Sequence, residues 1–279
     1  VTHLYPSANR SQAERLAIMA VGGYGRAEMS PHSDVDIAFL VGGKKTAWCE
    51  QVVEAMLYLL WDLGLKVGHS TRTLDEAMRL SKTDLTIRTA LLEGRYVWGD
   101  QELYDEGSRR YSSEVVRGNE RNFVSEKLAE RNARHKRMGD SRYVLEPNIK
   151  DGKGGLRDLH ALYWSAKFLY GVEDIAEMIE EGALTKTEVA RFAKAQFFLW
   201  SVRCHLHYLT NRPEERMTFD VQPELANRML YNDRAGGSGV ERFMKRYFLV
   251  TKDVGGLTRI LAAKLEADQK KKPEGLRRF

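Results

Sequence analysis

The sequence predicts a small α/β domain with a mixed sheet, followed by an all-α helical bundle. In the first part, short runs with strand alternation, such as residues 35–40, stand between segments whose apolar residues have helical spacing. Beyond about residue 117 the strand patterns stop and long helical patterns follow. The 279 residues are enough for two cores, and we expect domains at 1–116 and 117–268 with a linker at 269–279.

The elements of the first domain follow one another closely. Residues 11–20 have a helical or mixed pattern and lead into a glycine turn, after which a strand runs to Gly42. Apolar residues at helical spacing predict a helix over 46–63, and Gly64 is a plausible stop. We expect a second strand over 65–70, whose direction relative to the first stays open. Two short helices over 74–79 and 85–93 and a strand over 95–98 complete the domain.

The second domain is predicted to contain helices only. A charged helix is expected over 121–138 and an amphipathic one over 156–170. Residues 187–210 are apolar on too many sides for a single stripe, which indicates the central helix of a bundle. A last helix over 239–267 is expected to be interrupted near Gly255 and Gly256.

Composition narrows the classes of protein to consider. Hydrophobic residues make up 43% of the chain, and no apolar stretch approaches the ~18 residues of a membrane span. Residues 109–157 hold thirteen Lys and Arg against seven Asp and Glu. The chain lacks interleaved exposed aromatics and any recognisable nucleic-acid-binding motif, so we expect no nucleic-acid partner. Cys49 and Cys204 have no metal-ligand spacing and indicate free thiols in a reducing cytoplasm.

Two carboxylates stand one residue apart on the strand after the glycine turn. Side chains two residues apart in a strand share a face, so Asp34 and Asp36 project together while Val35 and Ile37 face the other way. Two like charges repel each other unless a cation lies between them, and oxygen ligands suit Mg²⁺. The pattern therefore predicts a magnesium site, although an exposed edge strand with two surface carboxylates is the simpler alternative.

The turn before this strand has the residues of a phosphate site. Gly22 and Gly23 allow close approach of the backbone, and their amides together with Arg26 would hold phosphate. Ser33 is a further candidate contact next to the carboxylates. Together with the carboxylates, the turn predicts a site for a metal–nucleoside triphosphate.

The glycine pair followed by Asp-x-Asp resembles the signature of the nucleotidyltransferase superfamily. Residues 60–73, 84–100 and 145–164 resemble, in this order, the PII uridylyltransferase family, and the resemblance covers nearly the whole chain. It implies Mg²⁺-dependent transfer of UMP from UTP to a tyrosine of the PII nitrogen-signalling protein. That family is multifunctional, and the resemblance implies that this chain corresponds to its N-terminal transferase part.

The strand predicted next to the two carboxylates holds no third acid. Superfamily members usually place another Asp or Glu on a neighbouring strand, but the strand predicted over 65–70 carries His69 instead. Of the two nearby acids, Asp62 and Glu93, we favour Glu93 because it lies at the entry to the next strand. In the turn, Ala27 stands where many similar proteins have Gly.

A second set of candidates lies in the loop over 146–158. Its proline and glycines predict irregular backbone between two helices, and Lys150 and Arg157 concentrate positive charge there. With the resemblance, these two residues are expected to contact triphosphate or partner. The alternative is a structural loop in which Asp158 stabilises the start of a helix.

Two other functions remain open from the sequence. One is nucleotidyl transfer to a different acceptor, as in the adenylyltransferase acting on glutamine synthetase or in antibiotic-modifying enzymes. The other is a degenerate domain that binds nucleotide or a partner without catalysis, which the missing third carboxylate would favour.

Overall fold

A computed structural model describes residues 14–271, without the side chains of residues 265, 266 and 268–271. The described chain divides into two compact units. The α/β unit contains residues 14–29 and Ser33–Asn119. The helical unit contains residues 120–271 together with the short segment Ser30–His32.

The α/β unit is built on a four-stranded sheet. Its strands are β1 (Arg15–Ala20), β2 (Val35–Gly42), β3 (Val67–Thr73) and β4 (Arg95–Gly99). Its helices are α1 (Gly22–Gly25), α2 (Ala47–Asp62), α3 (Leu74–Thr83), α4 (Leu85–Leu92) and α5 (Gln101–Tyr111), which continues into a π-helical turn, Ser112–Val116. The sequence did not indicate α5.

The sheet is mixed, which confirms the predicted fold class. Its strand order is β3-β2-β1-β4; β1 is antiparallel to both of its neighbours, and β2 is parallel to β3. The expected helical or mixed structure of residues 11–20 was wrong for residues 15–20, which form the central strand β1; residues 11–13 lie outside the described part. Leu16 to Ala20 are all buried, and strand alternation is lost where both faces are covered.

Helices cover both faces of this sheet. The face that carries Ile37 and Phe39 packs against Val52, Val53 and Leu57 of α2. The side-chain hydroxyl of Thr46 accepts a hydrogen bond from the Cys49 N–H at 3.3 Å and so caps the first turn of α2. Contacts from α3 and α5 reach β1, β2 and β3. The carboxylates of β2 therefore sit on a strand that is packed between helices.

The helical unit contains α6 (Glu120–Arg137), α7 (Leu156–Tyr170), α8 (Lys186–Thr210), α9 (Gln222–Arg228) and α10 (Gly239–Lys271), with a 3-10 turn, Ile175–Ile179. One continuous core joins α7, α8 and α10. On α8 the aromatic Phe197 is 69% exposed, so part of this apolar helix faces solvent.

The last helix, α10, is continuous through Gly255 and Gly256, so the expected interruption was wrong. A Cβ atom built on Gly255 would lie 2.9 Å from Cζ of Arg142. This glycine therefore gives room for an arginine side chain against the helix, and the intact helical hydrogen bonds around it keep the backbone regular.

Candidate active site

The two carboxylates stand at the start of β2. Asp34 is exposed and directly precedes the strand, whereas Asp36 is half-buried within it. The face of Asp36 is opposite to the face of Ile37, which packs toward α2. That Asp34 shares the face of Asp36 stays a prediction from strand alternation, because Asp34 stands one residue before the strand begins.

The carboxylate of Asp36 lies between two glycines. A Cβ atom at Gly22 would stand 2.6 Å from Oδ2 of Asp36, and a Cβ atom at Gly68 would overlap Oδ1. Gly22 also has a φ of +58°, a conformation that favours glycine. The backbone N–H of Val21 donates to the Asp36 carbonyl oxygen at 3.0 Å, which ties the turn to β2. The close approach predicted at Gly22 is thus an approach to Asp36.

Gly68 → Ala is expected to slow catalysis without backbone strain, since φ at Gly68 is not in the left-handed region. The added methyl group would push the Asp36 carboxylate aside, and a displacement of ~1 Å costs about 10²-fold in rate. Unfolding experiments on a double-mutant cycle with Asp36 → Ala measure the clash directly. The methyl group should destabilise the protein only while Asp36 is present. Equal destabilisation in both backgrounds would contradict this contact.

The short helix α1 is held against the start of β4. A Cβ atom at Gly25 would overlap the carbonyl oxygen of Glu93. Arg95 donates from its guanidinium to the carbonyl oxygen of Tyr24 at 3.0 Å. These contacts fix the glycine turn on the sheet beside the carboxylates.

Arg26 is engaged by two carboxylates of the α/β unit. Its Nε donates to Glu28 Oε2 at 2.9 Å, and its Nη1 pairs with Glu93, whose side chain is only 3% exposed. Burial by itself would lower the pKa of Arg26, but the charges of Glu93 and Glu28 raise it above the usual value. Phosphate contact by Arg26 stays a prediction, and the ion pair connects the end of α1 to Glu93, two residues before β4.

Glu93 does not join Asp34 and Asp36 in a three-acid cluster. Among the described residues, no group of three or more His, Cys, Asp and Glu side chains is placed to hold one metal ion. The oxygen donors that the site offers are the carboxylates of Asp34 and Asp36. Two carboxylates on one face fit a hard cation that also takes phosphate oxygens and water as ligands.

The register of β3 decides which of its residues border the carboxylates. Asp36 pairs with Gly68, and Ile37 pairs with His69. His69 therefore lies on the α2 face, where its ring is 6.3 Å from that of Trp61. The residues of β3 on the face of Asp36 are Gly68, Ser70 and Arg72. Sequence reasoning missed these three, because residues 68–72 have no apolar alternation that would distinguish one face from the other.

Ala27, at the end of the glycine turn, has a φ of +59°. A left-handed conformation costs an alanine about 1 kcal/mol or more, which glycine avoids. We therefore expect Ala27 → Gly to raise the free energy of unfolding by about 1 kcal/mol in urea titrations. Ala55 → Gly, in the interior of α2, is the matched control and should lower it by a similar amount. A destabilised Ala27 → Gly protein would contradict this account.

Lys150 and Arg157 belong to the helical unit. Burial lowers the pKa of Lys150, and the nearby charge of Arg203 lowers it further, while Glu215, 3.7 Å away, opposes both. Arg157 lies 3.6 Å from Asp151. The two basic residues thus sit in a cluster that carboxylates compensate only in part.

The loop that carries Lys150 is held by a buried carboxylate. Asp158 accepts from the backbone N–H of Gly154 at 2.8 Å, lies 2.9 Å from Nε2 of His135 and pairs with Arg134. Burial would raise the pKa of Asp158, but the hydrogen bond and charge of His135 lower it below the usual value. The structural role expected for Asp158 is present, with long-range partners that the sequence did not indicate.

Comparisons with known proteins agree with both units. Residues 122–262, half of the chain, match the family model described as GlnD PII-uridylyltransferase. The chain is 61% identical over 266 residues, 95% of its length, to a bifunctional uridylyltransferase/uridylyl-removing enzyme of Novosphingobium aromaticivorans. The corresponding proteins of Rhodospirillum rubrum and Azospirillum brasilense are 61% and 58% identical over 98% of the chain. The chain belongs to this family.

The chain spans 29% of the length of these uridylyltransferase/uridylyl-removing enzymes. The match to the family model falls on the helical unit, whereas the pairwise similarity also covers the α/β unit with the two carboxylates. Within residues 14–271, none of the helices is long and apolar enough to span a membrane. Family membership thus rests on both parts of the chain, and the carboxylate site lies within the shared region.

Proposed function

We propose that this chain transfers UMP from UTP to a tyrosine of a PII signalling protein and releases pyrophosphate. The observation that carries the proposal is the Asp34–Asp36 pair, whose second carboxylate is fixed between Gly22 and Gly68. The chain is about 60% identical to curated enzymes that are named for uridylyl transfer. Its free cysteines, Cys49 and Cys204, suit the cytoplasm, where we place the reaction.

In this reaction, the tyrosine oxygen attacks the α-phosphorus of UTP. A bond forms between that oxygen and the phosphorus, the bond to the bridging oxygen of the β-phosphate breaks, and pyrophosphate leaves. The hydroxyl proton passes to a base, and its pKa of about 10 means that the site must assist this loss. Asp34 and Asp36 would hold Mg²⁺, which when bound neutralises charge on the phosphates.

The residues around the carboxylates have distinct tasks in this proposal. Gly22 and Gly68 leave room for the Asp36 carboxylate, because a Cβ atom at either position would collide with one of its oxygens. Gly22 and Gly23 offer backbone amides, and Ser33 a hydroxyl, next to the carboxylates. Glu93 we assign to holding Arg26 and the turn rather than to a metal. Lys150 and Arg157 remain proposed contacts to triphosphate or partner from the helical unit.

The test is incubation of the chain with UTP labelled at the α-phosphate, Mg²⁺ and purified PII protein. Label should appear on PII with UTP and should be lost when its acceptor tyrosine is replaced by Phe. Parallel reactions with ATP, CTP and GTP measure nucleotide preference, and glutamine synthetase as acceptor tests the related adenylyl transfer. Label on glutamine synthetase but not on PII would replace the proposed acceptor.

A second candidate function is nucleotide binding without transfer. It is favoured by the absence, among the described residues, of a third acid that could share a metal with Asp34 and Asp36. Calorimetry of UTP binding, combined with the transfer assay, separates the two functions. UTP binding without labelled product on any acceptor would support the binding module and contradict the transferase.

A further inference from the structure

The strand next to β2 carries a cation on the face of Asp36. In neighbouring strands, paired residues project to the same side of the sheet. Asp36 pairs with Gly68, Ala38 with Ser70, and the next position of β3 on this side is Arg72. The position that would hold a third acid on β3 is therefore a glycine, and the charged residue of this face is an arginine.

The guanidinium of Arg72 is turned back along its strand. Its Nη1 donates to the hydroxyl oxygen of Ser70 at 2.6 Å. Ser70 is one same-face step from Gly68, a distance of roughly 6–7 Å along a strand. The charged end of Arg72 is therefore drawn toward the end of the strand at which Asp36 lies, and away from the residue's own Cα atom.

Arg72 and Arg26 are in different electrostatic situations. The guanidinium of Arg26 is paired with Glu28 and Glu93 and only 11% of its side chain is exposed. Arg72 is half-buried and donates to the neutral hydroxyl of Ser70. That hydrogen bond does not compensate the positive charge, and it uses one of the five N–H donors of the guanidinium. A guanidinium in this state matches phosphate oxygens, which it can bind through two parallel hydrogen bonds.

We propose that Arg72, positioned by Ser70, binds a phosphate of the nucleotide held at Asp34 and Asp36. This inference rests on the proposed function, and it gives to Arg72 the contact that the sequence alone indicated for Arg26. On this account, β2 supplies the carboxylates and the neighbouring strand supplies the cation, with Gly68 making room between them.

The experiment is calorimetry of the full chain with UTP and with uridine, in the presence of Mg²⁺. Arg72 → Gln should weaken UTP binding by about 10- to 100-fold, the range for a charged hydrogen bond, and leave uridine binding unchanged. The UTP affinity of Arg72 → Lys should lie between those of the parent chain and of Arg72 → Gln. Ser70 → Ala keeps the guanidinium of Arg72 but removes the hydroxyl that positions it, and should weaken UTP binding by about 2- to 10-fold. Arg79 → Gln, an exposed arginine of α3, is the matched control and should bind UTP like the parent chain.

The outcomes separate this inference from the proposed function. Unchanged UTP affinity in Arg72 → Gln, or an equal loss for UTP and uridine, would overturn the phosphate contact while leaving the nucleotide site in place. If the parent chain binds no UTP, both proposals are overturned. Should Arg72 → Gln fail to fold, the Ser70 → Ala and Arg72 → Lys proteins decide, and parental UTP affinity in both would again overturn the contact.

Discussion

Replacing Asp36 by Asn is expected to lower the rate of UMP transfer by about 10³-fold or more while the protein stays folded. A metal ligand contributes several kcal/mol of charge stabilisation in the transition state, and each 1.36 kcal/mol is about tenfold in rate. Asn has the shape of Asp and fits between Gly22 and Gly68, so the packing of the sheet is kept. The same loss is expected for Asp34 → Asn.

The thermal stability of these variants gives an independent check. Removing one of two neighbouring like charges relieves repulsion, so without Mg²⁺ the Tm should hold or rise. Asp62 → Asn is a suitable control, because Asp62 is an exposed acid at the end of α2. It should leave both transfer and Tm unchanged. Transfer at the parental rate in Asp34 → Asn or Asp36 → Asn would end the assignment of this site.

The largest effect on stability is expected at Asp158. Asp158 → Asn removes the buried negative charge that compensates Arg134. It also weakens the contact between the side chain of residue 158 and Nε2 of His135. Breaking a buried ion pair from one side costs about 3–5 kcal/mol, because the other charge stays buried without its partner. Urea unfolding at pH 7, followed by tryptophan fluorescence, measures this loss. Asp151 → Asn, a half-buried acid of the same loop, should cost about 1 kcal/mol or less.

The difference in unfolding free energy between the parent chain and Asp158 → Asn should depend on pH. The pKa of Asp158 is lowered in the folded protein, so its contribution to stability is complete above the usual carboxyl range. It is lost as the pH falls through the lowered pKa of the folded state. The gap in unfolding free energy between parent and Asp158 → Asn should therefore be constant from pH 7 to about pH 5 and shrink at lower pH. A gap that widens toward pH 3 would show that Asp158 is not held in its charged form.

The Asp-x-Asp motif and several of the helices could be read from local patterns. The alternation of strand side chains predicts that Asp34 and Asp36 share a face, and α2 and α7 follow the apolar spacing of packed helices. The same rules did not identify β1 as a strand, since a strand that is buried on both faces loses its alternation. Gly255 looked like a helix break, but its neighbour in space is Arg142.

The surroundings of the carboxylates could not be read in this way, because they depend on strand pairing and on contacts between distant residues. Parallel pairing of β2 with β3 places Gly68 beside Asp36 and turns His69 to the opposite face; a shift by one residue would exchange the two. Likewise, Arg26 is chemically a good phosphate ligand, but Glu93, 67 residues later in the chain, takes its guanidinium. Alternation along a strand is a local property of the backbone, whereas register and ion-pair partners are set by how distant segments pack, and for that reason the tertiary structure alone decided them.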